Sequence, residues 1–332
     1  MITRRRLGLV SLSLTVAMWM RGARAAAGDD ASRKMHIATL GPGLHGCPPG
    51  PAGDAFTKGL SVLGYGPHNL SVESRCYTEL ADIPRFVVEL LSTDPVLVVV
   101  WGSVVAVGSV RRAAPTLPIV FIDVADPVQF GLVESLGHPG GYTTGISNNA
   151  DEVMAKKVQI LRDALPHAAR LALLFNLSNP LQEGYLRTLQ AAARTMNFET
   201  HTYSVQSRGE LDGAFAAMSA DRMDGMVLGP DAWFYPLREQ VVMLAALHQI
   251  PAIFGNTAYS EAGALFSYGA DLNEMSYHAT AFVDKILKGA KPGSLPVELP
   301  TKYNLLINAK AARALGLSIP PGVMLRATQV IE

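Results

Sequence analysis

Polar and aromatic side chains collect where the apolar runs of this sequence end. Gly43 follows the run 35–40, and Trp101 and Ser103 close the run 96–101. Asp126 follows 118–124, and Asn176 follows 171–175. Asp231 and Trp233 come after 225–228, and Asn256 and Tyr259 after 251–254. These residue types suit binding. A serine capping a helix leaves neighbouring amides free to receive a carboxylate. Trp101 can stack on a flat solute or pack in a core. Asp126 and Asp231 can meet an amine, or serve as a cap and a turn residue. Trp233 has aromatic neighbours in Phe234 and Tyr235, and three consecutive side chains cannot all face one way on a regular element.

The parts of a catalytic centre are missing. The sequence has no G-x-S-x-G, H-E-x-x-H or P-loop and no cysteine-rich metal spacing. Its eight histidines include no pair at helical ligand spacing. One string, Gly41-Pro42-Gly43-Leu44-His45-Gly46, matches G-x-G-x-x-G directly after a strand. A dinucleotide loop needs a helix to begin within it, so that amides meet the pyrophosphate. Here Cys47-Pro48-Pro49-Gly50-Pro51 follows, and prolines remove those donors. The loop reads as ligand-facing. The expectation is a binding site with no catalytic residue, no cofactor and no metal.

The elements that would position these residues alternate. Strands are predicted over 35–40, 70–73, 96–101, 118–124 and 142–146. Helices are predicted over 54–63, 83–91 and 103–114. The run 96–101 is apolar throughout, as in a parallel strand buried on both faces. After 118–124, Asp126-Pro127 predicts a cap and first turn, and Val128, Leu132, Val133 and Leu136 share a helical face. The pattern then restarts with helices over 151–164, 181–196, 209–219, 236–248 and 273–288. Strands are expected over 171–175, 199–205, 225–228, 251–254, 264–268 and 303–307, with a short helix after the last. Repeated βα units predict an α/β fold of two doubly wound parallel sheets. Their ligands bind at strand carboxyl ends.

With 332 residues, 49% hydrophobic and 17% charged, the chain can bury a large core. Its net charge of zero hides an uneven distribution. Five arginines and no acid fall within residues 1–25, and without them 23 basic residues face 28 acidic ones, a net of −5. An acidic body argues against nucleic acid as a partner. Arg4 to Arg6, the apolar run 7–20, and Ala23-Arg24-Ala25 or Ala25-Ala26-Ala27 form the three parts of an export signal. The expected signal peptide is 1–26 and the expected location the periplasm. Arginine-rich starts serve both general and twin-arginine secretion, so the route stays open. In that compartment Cys47 and Cys76 either form a disulfide or stay as two thiols.

The string from Asp126 to Gly141, DPVQFGLVESLGHPGG, with Thr144-Gly145 after it, resembles the signature of one family of ABC-transporter substrate-binding proteins. These accompany tryptophan/tyrosine-type permeases. Pro118 to Phe121, Asn176 with Asn179-Pro180, Gly263 to Gly269, Leu299 to Tyr303 and Ile319-Pro320-Pro321 are similar too. The resemblance implies the type I periplasmic binding protein fold, two lobes joined by three crossovers. Lobe 1 would comprise 34–145 plus 269–297, and lobe 2 would comprise 146–268 plus 298–332. Crossovers would lie near 144–147, 267–271 and 296–301. Carried-over cleft positions are Gly43, Trp101, Ser103, Asp126, Asn176, Asp231 and Asn256. The loop around Cys47 and the bulky Trp101 depart from the commoner family pattern, and both alter the ligand wall. The implied function is a monomeric receptor that delivers a small organic solute, such as an aromatic carboxylate or amino acid, to ABC permease subunits. Through that permease it would contact the inner membrane. The alternative is a ligand-binding partner of a signalling receptor.

Overall fold

The computed structural model describes residues 34–43, 50–179, 181–255 and 257–332. The predicted signal peptide and Cys47 lie outside them. Cys76 is disulfide-bonded.

The first lobe is built on five parallel strands: β1 (Met35–Pro42), β2 (Leu70–Tyr77), β3 (Leu97–Trp101), β4 (Ile119–Val124) and β5 (Thr143–Ser147). Their order is β2-β1-β3-β4-β5. Every residue of β3 is buried, because helices cover both faces of the sheet. Helices α1 (Gly50–Val62), α2 (Ile83–Leu91) and α3 (Val104–Ala113) are local to this lobe.

The second lobe begins at α4 (Ala150–Ala164), whose first turn carries Asp151 and Glu152 and whose last carries Arg162, as the helix dipole favours. It continues through β6 (Arg170–Phe175), α5 (Gln182–Thr195), β7 (Glu199–Ser204), α6 (Leu211–Ala220), β8 (Gly225–Leu228), α7 (Arg238–Leu247), β9 (Ala252–Phe254), α8 (Thr257–Glu261) and β10 (Phe266–Ala270). Then α9 (Leu272–Leu287) returns to the first lobe. Finally β11 (Tyr303–Asn308), α10 (Ala309–Ala314), α11 (Pro321–Met324) and β12 (Gln329–Ile331) complete the second. The second sheet has the order β12-β11-β10-β9-β8-β6-β7. It is parallel except that β11 runs antiparallel to β10, a reversal that follows from α9 lying in the other lobe. Strand β12 was not expected from the sequence.

The return of α9 ties the lobes together. Its apolar face, with Met275, Ala279, Phe282, Val283 and Ile286, packs on Ile37, Val99, Val120 and Ile122 of the first sheet. At Gly59 of α1 an added Cβ would lie 2.7 Å from Thr280 Oγ1, so the two helices touch closely there. The chain therefore crosses between lobes three times: after β5, after β10, and along the segment before β11.

The stretch after β4 differs from expectation. No helix forms over 127–136; the chain makes turns instead. Asp126 has φ 41°, a left-handed conformation that does not suit a helix N-cap, and Gly131 at φ 62° breaks the path again. Leu132 and Val133 still bury in the first core. The turns brace the third crossing, with Gly140 N donating to Gly293 O at 3.3 Å and Val297 N to Leu136 O at 2.7 Å. Thr144 Oγ1 donates to Leu295 O at 2.7 Å. Glu298 N donates to Gly145 O at 3.0 Å and Ser147 N to Glu298 O at 2.9 Å.

Gly145 is fixed by this arrangement. It has φ 149°, and a Cβ would land on the Phe121 carbonyl and lie 2.6 Å from the Phe121 nitrogen in the neighbouring strand. Backbone cannot give way as a flexible side chain can. Gly145→Ala is expected to destabilise the protein by more than about 3 kcal/mol. Gly137→Ala, which meets nothing within 4 Å, should leave the melting temperature unchanged. Thermal denaturation followed by circular dichroism checks the pair.

Candidate functional site

The carboxyl ends of both sheets face each other across a cleft. A cavity of about 130 Å³ lies there. The first lobe lines it with Pro42, Trp101, Gly102 and Asp123, and the second with Lys157, Asp231, Tyr235, Tyr259 and Tyr268. Asn148, on the first crossing, lines it too.

Its aromatic walls are held from behind. Trp101 ends β3, donates from Nε1 to Ser276 Oγ at 3.3 Å, and meets Phe56 edge-on at 5.2 Å. Tyr259 stacks on Phe254 with ring centroids 5.2 Å apart and planes at 12°. Tyr268 stacks on Tyr303 at 6.1 Å. The 3₁₀ turn Ala232–Leu237, which precedes α7, sorts the three consecutive aromatics. Trp233 and Phe234 are buried and pack edge to face at 5.0 Å, and half-buried Tyr235 reaches the cavity.

Two opposite charges face the same space. Asp123, near the end of β4, has φ 60°, so its carboxyl is carried by a strained backbone. Burial raises that carboxyl to about 6, against Asn148 and Lys157, which hold it down. Lys157 sits in the middle of α4 and is only 2% exposed. Burial lowers its ammonium to about 8, with the Asp123 charge opposing. Among the described residues, Asp123 and Lys157 form no direct ion pair, and no hydrogen bond reaches Lys157 Nζ. Asn148 donates from Nδ2 to Asp123 O at 3.2 Å, and its Oδ1 is buried without a partner.

The other residues singled out in the sequence have different settings. Ser103 is the N-cap of α3, accepting from Ala106 N at 3.1 Å. It lines a smaller polar cavity of about 40 Å³ beside the main one, with Asn179, Gln182 and Tyr185. Asp231 lines both cavities. It accepts from Trp233 N at 3.0 Å and from Asn179 Nδ2 at 3.3 Å. Burial pushes its carboxyl up, while Trp233, Asn179 and Asn176 hold it down. Asn176 is buried behind it and accepts from Ser178 N at 3.2 Å. Gly43 donates to Tyr77 O at 3.0 Å and does not line the main cavity. Asn256 lies outside the described residues.

Asp126 and Trp233 act between lobes. The Asp126 carboxyl faces Tyr185 of α5. Burial raises it and the nearby Tyr185 hydroxyl lowers it. The two groups approach without reaching hydrogen-bond geometry, leaving Asp126 Oδ2 and the hydroxyl otherwise unpartnered. The Tyr185 ring meets Phe130 edge-on at 6.0 Å. Trp233 Nε1 donates across the cleft to Glu79 Oε2 at 3.1 Å.

Lys157, Asn148 and Tyr268 were not singled out from the sequence as site residues. A signal for Lys157 existed. It shares the helical stripe of Ala150, Met154, Leu161 and Ala164, all buried, so a cation stands where the pattern demands an apolar residue. Among the described residues no group of three or more His, Cys, Asp or Glu side chains is placed to hold a metal ion. No helix there is long and apolar enough to cross a membrane.

Comparison with known proteins bears on the family. A tyrosine-binding protein of Clostridioides difficile (strain R20291) is 25% identical over 206 residues, covering 62% of this chain and 59% of that relative's length. A solved structure of an ABC domain in complex with L-Trp, from Streptococcus pneumonia, matches with TM-score 0.79 and 24% identity over 90% of this chain and all of that one. The ligand-free, open structure of CD0873, a substrate-binding protein from Clostridium difficile, matches at TM-score 0.63 and 21% identity, over 90% of this chain and 99% of that one. The two lobes thus have the type I periplasmic binding protein fold. The model of one family, ABC transporter substrate binding protein, matches residues 52–331. The chain belongs to that family, whose members bind solutes rather than transform them.

Proposed function

We propose that this protein is the periplasmic receptor of an ABC importer, that it holds an aromatic amino acid or related aromatic carboxylate between its lobes, and that it delivers this solute to a membrane permease. The observation that carries the reading is the interlobe cavity walled by Trp101, Tyr235, Tyr259 and Tyr268. A cavity of ~150 Å³ is enough for one benzene ring, and this one is of that order at about 130 Å³. Rings offset or edge-on around a flat solute favour it beyond area burial. The names of the tyrosine-binding relative and of the tryptophan-bound neighbour support the same solute class.

The working cycle is hinge closure. Lobe 1 (34–145 plus 269–297) and lobe 2 (146–268 plus 298–332) rotate about the three crossings. Solute enters the open cleft, and the closed form gains population by its tighter hold on the solute. The Glu79–Trp233 hydrogen bond spans the lobes and exists only when they meet. The closed face then docks on the permease, which opens the lobes and takes the solute. The receptor works as a monomer without a cofactor.

Isothermal titration of the mature protein against L-tyrosine, L-tryptophan, L-phenylalanine, aliphatic amino acids and sugars is expected to show tight 1:1 binding of an aromatic member. Tight binding of a sugar, with none of the aromatics, would overturn the reading. Trp101→Ala should weaken the aromatic solute more than tenfold, since a ring contact is worth about 0.5–1.5 kcal/mol beyond its area. Glu79→Ala should weaken it about three- to tenfold, the worth of one hydrogen bond to a solvent-exposed glutamate, made only on closure. Glu79→Ala is not expected to lower the melting temperature of the solute-free protein by more than a few degrees, whereas Trp101→Ala, which empties a buried position packed against Phe56, should lower it further.

A further inference from the structure

The aromatic walls explain a flat solute but leave Lys157 and Asp123 without a task. A lysine buried to 98% ordinarily ends on a carboxylate or several carbonyl oxygens, because an unsolvated ammonium needs acceptors for its three protons. Lys157 has no such acceptor among the described residues, yet it lines the cavity. Asp123 lines the same cavity, and the two do not touch as an ion pair. Beside Asp123, the Asn148 Oδ1 is a buried acceptor with no donor. The cleft thus presents a cationic donor from one lobe and acceptors from the other lobe and the first crossing, all lining one cavity, with no net charge from the pair.

We propose that Lys157 and Asp123 form a zwitterion clamp: the Lys157 ammonium receives the solute's carboxylate, the Asp123 carboxylate and Asn148 Oδ1 receive its α-ammonium, and the solute is therefore a free α-amino acid, not an amine or a plain carboxylate. This rests on the interlobe cleft being the solute site. A zwitterion matches the pair in charge and fills both sets of unmet hydrogen bonds. An amine would leave the Lys157 ammonium without an anion to receive it, and a plain carboxylate would leave the buried Asn148 Oδ1 without a donor and the Asp123 charge without a cation. Each unmet buried group is penalised more heavily than a made bond is rewarded, so the clamp discriminates strongly. The side chain of the solute then lies against Trp101 and the tyrosines.

Both charges also disfavour the solute-free fold. The carboxyl of Asp123 is raised and the ammonium of Lys157 is lowered, each mainly by burial. At neutral pH each is charged against the preference of its site. Residues kept despite such a penalty are where function is expected.

The test uses L-tyrosine and L-tryptophan, each with its decarboxylated amine and its deaminated propionate, titrated into wild type, Lys157→Met and Asp123→Asn. Wild type should bind the amino acid at least a hundredfold tighter than either analogue. Lys157→Met should lose at least a hundredfold for the amino acid and for the propionate, yet change the amine less than threefold. Asp123→Asn should lose affinity for the amino acid and the amine but not the propionate. Lys157→Met should melt no lower than wild type without solute, which separates a binding role from a structural one.

A variant-free arm uses pH. Burial pushes the Asp123 carboxyl up to about 6, so wild-type affinity for the amino acid should fall from about pH 7 to about pH 5, while affinity for the propionate should not fall. The other titratable groups facing Asp123 are Lys157, Tyr235 and Tyr259, with Asp231 on the opposite wall and Arg238 and Glu261 behind Tyr235. The fall should vanish in Asp123→Asn, which excludes Asp231 as its source. Equal losses for amine, propionate and amino acid in either variant would overturn the clamp while leaving the aromatic cleft intact. Failure of wild type to bind either amino acid would overturn the aromatic reading and the clamp together.

Discussion

Two opposite charges held apart in one cleft set the terms for the rest of this molecule. Asp123 and Lys157 come from different lobes, from the end of a parallel strand and the middle of a helix, and neither is neutralised by direct contact. Such an arrangement is tolerable only where something else completes it. On this account the solute does so, and closure of the lobes around it removes water from the charges and the rings at once. The aromatic residues supply most of the apolar contact. On the same account the charge pair decides which aromatic molecules can remain.

The covalent layout joins the two lobes through three crossings rather than one linker. Because α9 returns to the first sheet and β11 to the second, neither lobe is a simple continuous piece of chain. The three crossings run close together, and the third lies alongside β5 with hydrogen bonds to Gly145 and Ser147. The turns after β4 brace that third crossing through Leu136 and Gly140. The stretch by which the family is recognised is therefore part of the hinge support. Its tightest point is Gly145, where only hydrogen fits against the neighbouring strand.

Much of this was legible in the sequence, for identifiable reasons. The apolar runs of β3, β4 and β6 and the stripes of α3, α4 and α9 carry their periodicity plainly, and Ser103 caps α3 as its position suggests. Two features were hidden. The residues after Asp126 have helical spacing, yet positive φ at Asp126 and Gly131 turns the chain, and the apolar residues are buried from a loop. The antiparallel pairing of β11 could not be read locally, because it follows from where α9 packs. At the site, Trp101, Asp231 and Tyr259 could be named because strand ends face the cleft. Lys157 sits on a helix among core residues, and only its mismatch with that stripe marks it. Trp233 and Phe234 could not be distinguished from Tyr235 until the 3₁₀ turn had set which ring faces the cavity.

The central claim is that a free aromatic α-amino acid occupies the interlobe cleft. Native mass spectrometry of the mature protein, followed by release and identification of the bound compound, is the most direct measurement. The account predicts a single aromatic amino acid at a ratio approaching one per chain. A sugar, a polyamine or a carboxylate lacking an amine, found at that ratio, would contradict it.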